Sequence, residues 1–304
     1  MAVVQDAPVV FDRDATLDRV DKRAREAANG GAQLVLFPEA FVSGYPQDMT
    51  FGAVVGTRTP EGHEQYRRYW ASAVDVPGPD VDRLGEIAAR HRIVLVIGVV
   101  ERSGGTLFCT VLFFGADGAL QGRHRKLMPT AMERLVWGMG DGSTLPVIDT
   151  SLGRVGAVIC WENYMPLMRA AMYAKGIEIY CAPTADDLDM WVTSVRHIAK
   201  EGRVFVLSSC QFLQRSDCPE DYEASHDRPV LVRGGSCIVA PTGDVIAGPV
   251  YDRSAVLLAD LDLDDIPRAK YDLDVSGHYA RPDVFQLAVD ERAKVTVTFG
   301  TDND

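Results

Sequence analysis

Three polar residues stand at the ends of strand-like apolar runs: Glu39 after LVLFP, Lys126 closing ALQGRHRK, and Cys160 ending RVGAVIC directly before Trp161. In α/β sheets the carboxyl ends of strands are where catalytic groups gather. The three types are complementary. A free thiol has a pKa of about 8.5, so little of it is thiolate near neutrality. A glutamate can take the thiol proton as general base, and a lysine ammonium favours both the thiolate and negative charge developing on a substrate. The main-chain N–H of Trp161, next to the thiol, is a natural second donor for that charge. Such a trio suits attack of sulfur on a carbon–nitrogen centre. The product is a thioimidate or thioester that water hydrolyses, with ammonia or an amine as leaving group. Taken singly, each residue also has an ordinary reading: a carboxylate at a helix start, a surface lysine, a core thiol.

The elements that must position these residues can be read from periodicity. A β-rich start at Ala2–Gln5 leads to a helix over 14–28, where Leu17, Val20, Ala24 and Ala27 share a face and Asn29-Gly30-Gly31 supplies the stop. A buried strand is predicted over 33–37, a helix over 81–90 and a strand over 93–100, followed by a hairpin from 106–114 to 119–123 through Gly115-Ala116-Asp117-Gly118. The rhythm then repeats: strand 154–160, helix 166–175, strand 177–182, helix 190–201, strand 203–209, and strands at 236–240, 245–247 and 255–261. Two α/β stretches, each followed by hairpins, do not fit one parallel sheet. They fit an α/β fold of two mixed sheets packed face to face with helices outside, a four-layer αββα sandwich. Segments 42–76, 128–150 and 210–234 read as irregular and are where a substrate cleft would lie. The expected division is one domain over 1–285 with a short tail at 286–304, which holds a last apolar run at 295–299.

Composition narrows the function. The chain has 304 residues, 47% hydrophobic and 24% charged, and a net charge of −12 from 31 basic and 43 acidic residues. It is long enough to bury a large core without staples. The acidic balance argues against a nucleic-acid partner, which would need concentrated Lys and Arg. The longest clean apolar run, 93–100, is far short of a membrane span, and MAVVQDAPVV lacks the features of a signal peptide, so a cytoplasmic location is expected. Six cysteines without C-x-x-C spacing, and no His pair at i, i+4, give no support for zinc. Cys109, Cys181 and Cys237 lie in apolar runs and read as small core residues. Gly138-x-Gly140-x-Gly142 does not open a helix after a strand and reads as a turn-rich loop. His124, His197 and His278 read as hydrogen-bonding residues. Tyr45, Trp137, Thr184 and Trp191 are candidates to line a substrate pocket, although the aromatic ones would serve equally well in a core.

Four blocks carry a resemblance. FPEAFVSGYP (37–46), HRKLMPTAMERLVWGMGDGS (124–143) and CWENYMPL (160–167) look like the signature blocks of the nitrilase branch of the carbon–nitrogen hydrolase superfamily, and SGHYARPDVF (276–285) resembles a segment near the end of bacterial and plant nitrilases. The resemblance implies a Glu–Lys–Cys triad of Glu39, Lys126 and Cys160, with Glu133 supporting the lysine. It implies hydrolysis of an organic nitrile to the carboxylic acid and ammonia, with water as co-substrate and no metal or organic cofactor. It also implies a homodimer or higher homo-oligomer. An amidase or N-carbamoyl hydrolase would use the same triad, so the reaction remains open between these. A non-catalytic interaction protein is the reading from another class.

Overall fold

The alternating strands and amphipathic helices close into two sheets in a computed structural model, which describes residues 1–226, 228–295 and 297. In chain order, strand β1 (Ala2–Gln5) leads to helix α1 (Arg13–Asn29), β2 (Leu34–Leu36), α2 (Pro60–Ser72), the two-residue β3 (Val74–Asp75), α3 (Pro79–His91), β4 (Val94–Ser103), β5 (Thr106–Phe114) and β6 (Leu120–Arg125). The chain then runs through β7 (Val147–Thr150), β8 (Gly153–Ala157), α4 (Pro166–Ala174), β9 (Ile179–Thr184), α5 (Asp189–Gly202), β10 (Phe205–Cys210), β11 (Phe212–Gln214), β12 (Val230–Val239) and β13 (Val245–Tyr251). It ends its regular course with β14 (Ala255–Leu258) and the short α6 (Asp265–Lys270).

The first sheet has the order β14-β1-β2-β4-β5-β6, with β3 beside β4. The second has β11-β12-β10-β9-β8-β7, with β13 beside β12. Both are mixed. β1, β2 and β4 are parallel, as are β8, β9 and β10, while the hairpin strands beside them are antiparallel. Parallel strands buried on both faces need continuous apolar sequence, which VLVIGVV and IYCAPT supply. Three core layers follow. Leu17, Val20 and Ala24 of α1 and Leu84 and Ile87 of α3 cover the outer face of the first sheet. Met168, Met172, Val195 and Ile198 of α4 and α5 cover that of the second. Between the sheets Val3, Leu36 and Val96 face Val155, Ile179 and Leu207. The arrangement is the αββα sandwich expected from the sequence.

Several boundaries differ from expectation. Segment 42–76 contains α2, started by Thr59, whose side chain accepts from the Gly62 N–H, with Pro60 in the first turn. Its inward face is largely aromatic (Tyr66, Tyr69, Trp70), so the aliphatic helical period is faint. Segment 210–234 contains β11 and the start of β12, and 128–150 contains β7. The strand expected to end at Cys160 stops at Ala157, because the chain turns sharply there (below). In the tail, 286–295 forms neither helix nor strand, and the Lys294 N–H donates to Asp141 at 2.7 Å. Of the apolar run at 295–299, Val295 and Val297 are exposed and the other three positions lie outside the described residues. No helix among the described residues is long and apolar enough to cross a membrane.

Candidate active site

Glu39 is set by a departure from the sheet. The Phe37 N–H still donates to Val96 on β4, and the Val42 N–H donates to Gly98. Between them residues 38–41 bulge over β4, with Ala40 at φ 47°. The bulge lies directly on Gly98, where a Cβ would meet the Pro38 carbonyl at 2.3 Å and the Ala40 nitrogen at 2.6 Å. A glycine inside an otherwise apolar stretch of strand marks such close approach. Lys126 follows β6, and its N–H donates to the Cys109 carbonyl at 2.8 Å, extending the β5–β6 pairing by one residue. Cys160 follows β8. The Val158 N–H still pairs with Cys181, then Cys160 takes φ 49° and starts a 3-10 turn to Tyr164. Left-handed backbone at a non-glycine residue is costly and persists only where neighbours enforce it.

The enforcement comes from two residues of the CWEN segment itself. Asn163 donates to the Val158 and Cys160 carbonyls, both at 2.8 Å. Buried Glu162 accepts from the Ile159 N–H at 2.9 Å, the Leu127 N–H at 2.6 Å and His124 Nε2 at 2.9 Å. One carboxylate thus ties the turn of the thiol to the segment of the lysine. His124 is the hydrogen-bonding residue expected. Burial works to lower its pKa, but the Glu162 carboxylate prevails and the result is raised.

The charged groups converge in the core between the sheets. Lys126 Nζ donates to Glu39 Oε1 at 2.6 Å and to Glu133 Oε2 at 2.7 Å. Glu133 also accepts from the Thr130 N–H at 2.6 Å and the Tyr45 hydroxyl at 2.8 Å. Glu39 Oε2 accepts from the Ala185 N–H at 3.1 Å, and Gln211 donates to the Glu39 carbonyl at 2.8 Å. Thr184 donates its hydroxyl to Cys160 Sγ at 3.2 Å. Cys160 itself is 4% exposed. The main-chain N–H of Trp161 has no partner among the described residues.

Burial sets the protonation pattern. It pushes the Cys160 thiol up, Glu39 adds to the rise and Lys126 opposes it, so the resting group is a thiol. Burial likewise raises Glu39, with Lys126 opposing and Glu133 reinforcing, which makes this carboxylate a stronger base than a solvated one. For Lys126 burial acts downward, but the carboxylates of Glu39 and Glu133 hold it well above its ordinary value, so it is an ammonium.

Of the pocket candidates, Tyr45 and Trp137 are at the cluster. Their rings meet edge to face at 5.7 Å, and Lys126 Nζ lies 5.7 Å from the Trp137 ring centre. Thr184 is at the thiol. Trp191 is not brought there: 1% exposed, it fills the core between the second sheet and its helices and donates to Ser208 at 2.8 Å. The expectation for Trp191 is therefore corrected, since a large apolar side chain on the inner face of α5 packs against the sheet. A cavity of ≈ 270 Å³ reaches Tyr45 and Glu133 and is walled by Met49, Phe51, Leu135 and Val136, among others. The sequence reading missed Glu162, Gly98 and the thiol of Cys109, which lies 3.4 Å from Glu39 Oε1. Only Gly98 carried a signal, as a glycine in a strand.

Residues 1–271 match the carbon–nitrogen hydrolase family profile. An aliphatic nitrilase of Sinorhizobium fredii is 57% identical over 97% of each chain. A bifunctional nitrilase/nitrile hydratase of Nicotiana tabacum is 55% identical over 98% of this chain and 87% of its own. Among solved structures, a carbon–nitrogen hydrolase from Helicobacter pylori superposes with a TM-score of 0.74 at 20% identity over 93% of this chain and 95% of its own. An amidase from Nesterenkonia gives 0.65 at 21% identity, over 90% and 93%. The protein belongs to the carbon–nitrogen hydrolase family and, by its relatives, to the nitrilase branch.

Proposed function

We infer that this enzyme hydrolyses an organic nitrile to the carboxylic acid and ammonia through Cys160. The observation that carries the reading is the buried Glu39–Lys126–Glu133 ion cluster beside a thiol held in a strained turn. Glu39 takes the thiol proton as sulfur bonds the nitrile carbon, and returns it to the nitrogen, leaving a thioimidate. Water, deprotonated by Glu39, adds to that carbon. The protonated nitrogen leaves as ammonia, and a thioester remains. A second water releases the acid, and sulfur regains its proton. Lys126 and the Trp161 N–H stabilise charge on the substrate as it develops, and Glu133 holds Lys126 in place. Residues 1–285 would form the catalytic unit and 286–304 a tail. Tyr45, Trp137 and Thr184 would border the substrate, with the adjoining cavity receiving its organic group.

Relatives named bifunctional nitrilase/nitrile hydratase favour a second outcome at the same site. If the tetrahedral intermediate expels sulfur instead of ammonia, the amide is released. Assembly into a homodimer or larger homo-oligomer is supported by exposed Trp161, Tyr164, Leu167, Leu188 and Met190 on the turn of the thiol, on α4, and around the start of α5.

The test is ammonia release from matched nitrile and amide pairs (aliphatic, benzylic and aryl), with Cys160→Ala alongside and light scattering for mass. Release that favours nitriles and vanishes in Cys160→Ala is expected. Faster release from amides would move the protein to an amidase reaction, and undiminished turnover in Cys160→Ala would remove the thiol from the mechanism.

A further inference from the structure

Cys109 sits in β5, where the sequence reads it as core filling, yet it touches two members of the triad at once. Its carbonyl accepts the Lys126 N–H at 2.8 Å, and its thiol donates to Glu39 Oε1 at 3.4 Å. It is 1% exposed. The two oxygens of Glu39 are therefore used unequally. Oε1 receives the Lys126 ammonium and the Cys109 thiol, while Oε2 receives just the Ala185 N–H among the described residues. Ala185 adjoins Thr184, whose hydroxyl bonds Cys160 Sγ. We propose that Cys109 is a positioning residue for the reaction: its thiol, on Oε1, fixes the Glu39 carboxylate so that Oε2 is free to exchange protons with Cys160, substrate and water. This rests on the proposed role of Glu39 as the base.

The alternative is that Cys109 merely fills space. The two differ in what they do to a proton. A donor on Oε1 favours the ionised carboxylate, so removing it makes Glu39 easier to protonate. Burial keeps the Cys109 thiol protonated, as a donor must be, because its pKa is pushed well up. The other ionisable groups that bear on Glu39 are Lys126, which favours its charge, and Glu133, Cys160, Tyr45 and Cys210, whose negative forms oppose it. These stay in place when Cys109 is replaced. Glu39 must be ionised in the free enzyme to act as base, so loss of the thiol moves the acidic limb of kcat/KM to higher pH. Valine fills the space without donating, and serine donates through a smaller, harder hydroxyl.

The experiment compares wild type, Cys109→Val, Cys109→Ala and Cys109→Ser by kcat/KM against pH for ammonia release from a nitrile. In parallel, carbamidomethylation of the Cys160 peptide by iodoacetamide is followed by mass spectrometry against pH. The second readout needs no substrate. Loss of one weak hydrogen bond to a charged group predicts about a tenfold fall in kcat/KM and an acidic limb about one pH unit higher in the valine and alanine variants. The limb for Cys160 alkylation should move with it, and serine should recover most of both effects. Valine profiles that overlay wild type, or valine and serine variants shifted alike, would overturn the positioning role. Alanine answers the same question if the valine variant does not fold. A wild type inert towards nitriles, whose alkylation limb still moves in Cys109→Val, would sink the nitrile reading and leave the role of Cys109 intact.

Discussion

At Lys126 a single ammonium pairs with two buried carboxylates, and the position has no solvent to fall back on. Removing one partner of a buried ion pair leaves the other uncompensated, which costs far more than the pair contributes over an apolar substitute. Lys126→Met is expected to lose about 3–5 kcal/mol in urea unfolding, because Glu39 and Glu133 then face each other unpaired. It is also expected to lose at least about 10³-fold in kcat/KM, since only the Trp161 N–H is then left to stabilise charge developing on the substrate. Turnover within tenfold of wild type would show that Lys126 stabilises the fold and not the reaction. Glu133→Gln should be milder on both measures. Lys126 keeps Glu39, and an amide at 133 can still meet the Tyr45 hydroxyl and the Thr130 N–H.

Elements deliver these side chains through breaks in their regularity. Glu39 comes from a bulge, Cys160 from a left-handed turn, and Lys126 from a strand continued one residue past its end. Each break is held by a neighbour: Gly98 under the bulge, Asn163 and Glu162 inside the turn, Cys109 opposite the lysine. The bulge gives the sharpest test. Gly98→Ala puts a methyl group where the Pro38 carbonyl now lies, so residues 38–41 must rise from β4 while Lys126, Cys160 and their supports stay put. Displacement of a base by about 1 Å can cost ~10²-fold. A drop in kcat of that order, with the far-UV spectrum retained, is the expected outcome. Kinetics like those of wild type would mean that Glu39 does not need its present placement.

Over the whole molecule, the site lies between two sheets, the first built from β1 to β6 with β14 and the second from β7 to β13, so the sheets must stay in register. Gln5 at the end of β1 is one fastener. Fully buried, it donates to the Val250 and Arg253 carbonyls at 2.9 and 2.8 Å and accepts from the Gly235 and Ser236 N–H groups at 3.0 and 2.9 Å. Its amide occupies the space beside Gly234, at φ 95°, where a Cβ would meet Gln5 Nε2 at 2.4 Å. Ser209 adds a bond from β10 to the Val4 carbonyl at 2.6 Å. Gln5→Leu would take this partner from two buried N–H groups and two part-buried carbonyls. It should cost about 3–5 kcal/mol in urea unfolding, with kcat unchanged well below the melting temperature. A loss under about 1 kcal/mol would mean that apolar contact alone joins the sheets at this point.

The strand and helix rhythm, the two mixed sheets and the candidates Glu39, Lys126 and Cys160 were legible in the chain itself, whereas Glu133 entered only with the family resemblance. Burial on one or two faces imposes a period on the sequence, and strand ends name the positions that face a cleft. The four signature blocks added the family. What the chain alone left open is contact between residues far apart in it. Nothing in the types of Cys109 and Glu39, 70 residues apart, says that they touch, and nothing in Trp191 distinguishes a core indole from a pocket wall. Helix α2 was hidden because its inward face is aromatic and sparse. Tertiary structure decided these matters for a physical reason. Periodicity reports how a segment meets solvent, whereas a buried hydrogen bond depends on two segments meeting each other, and that meeting leaves no period to read.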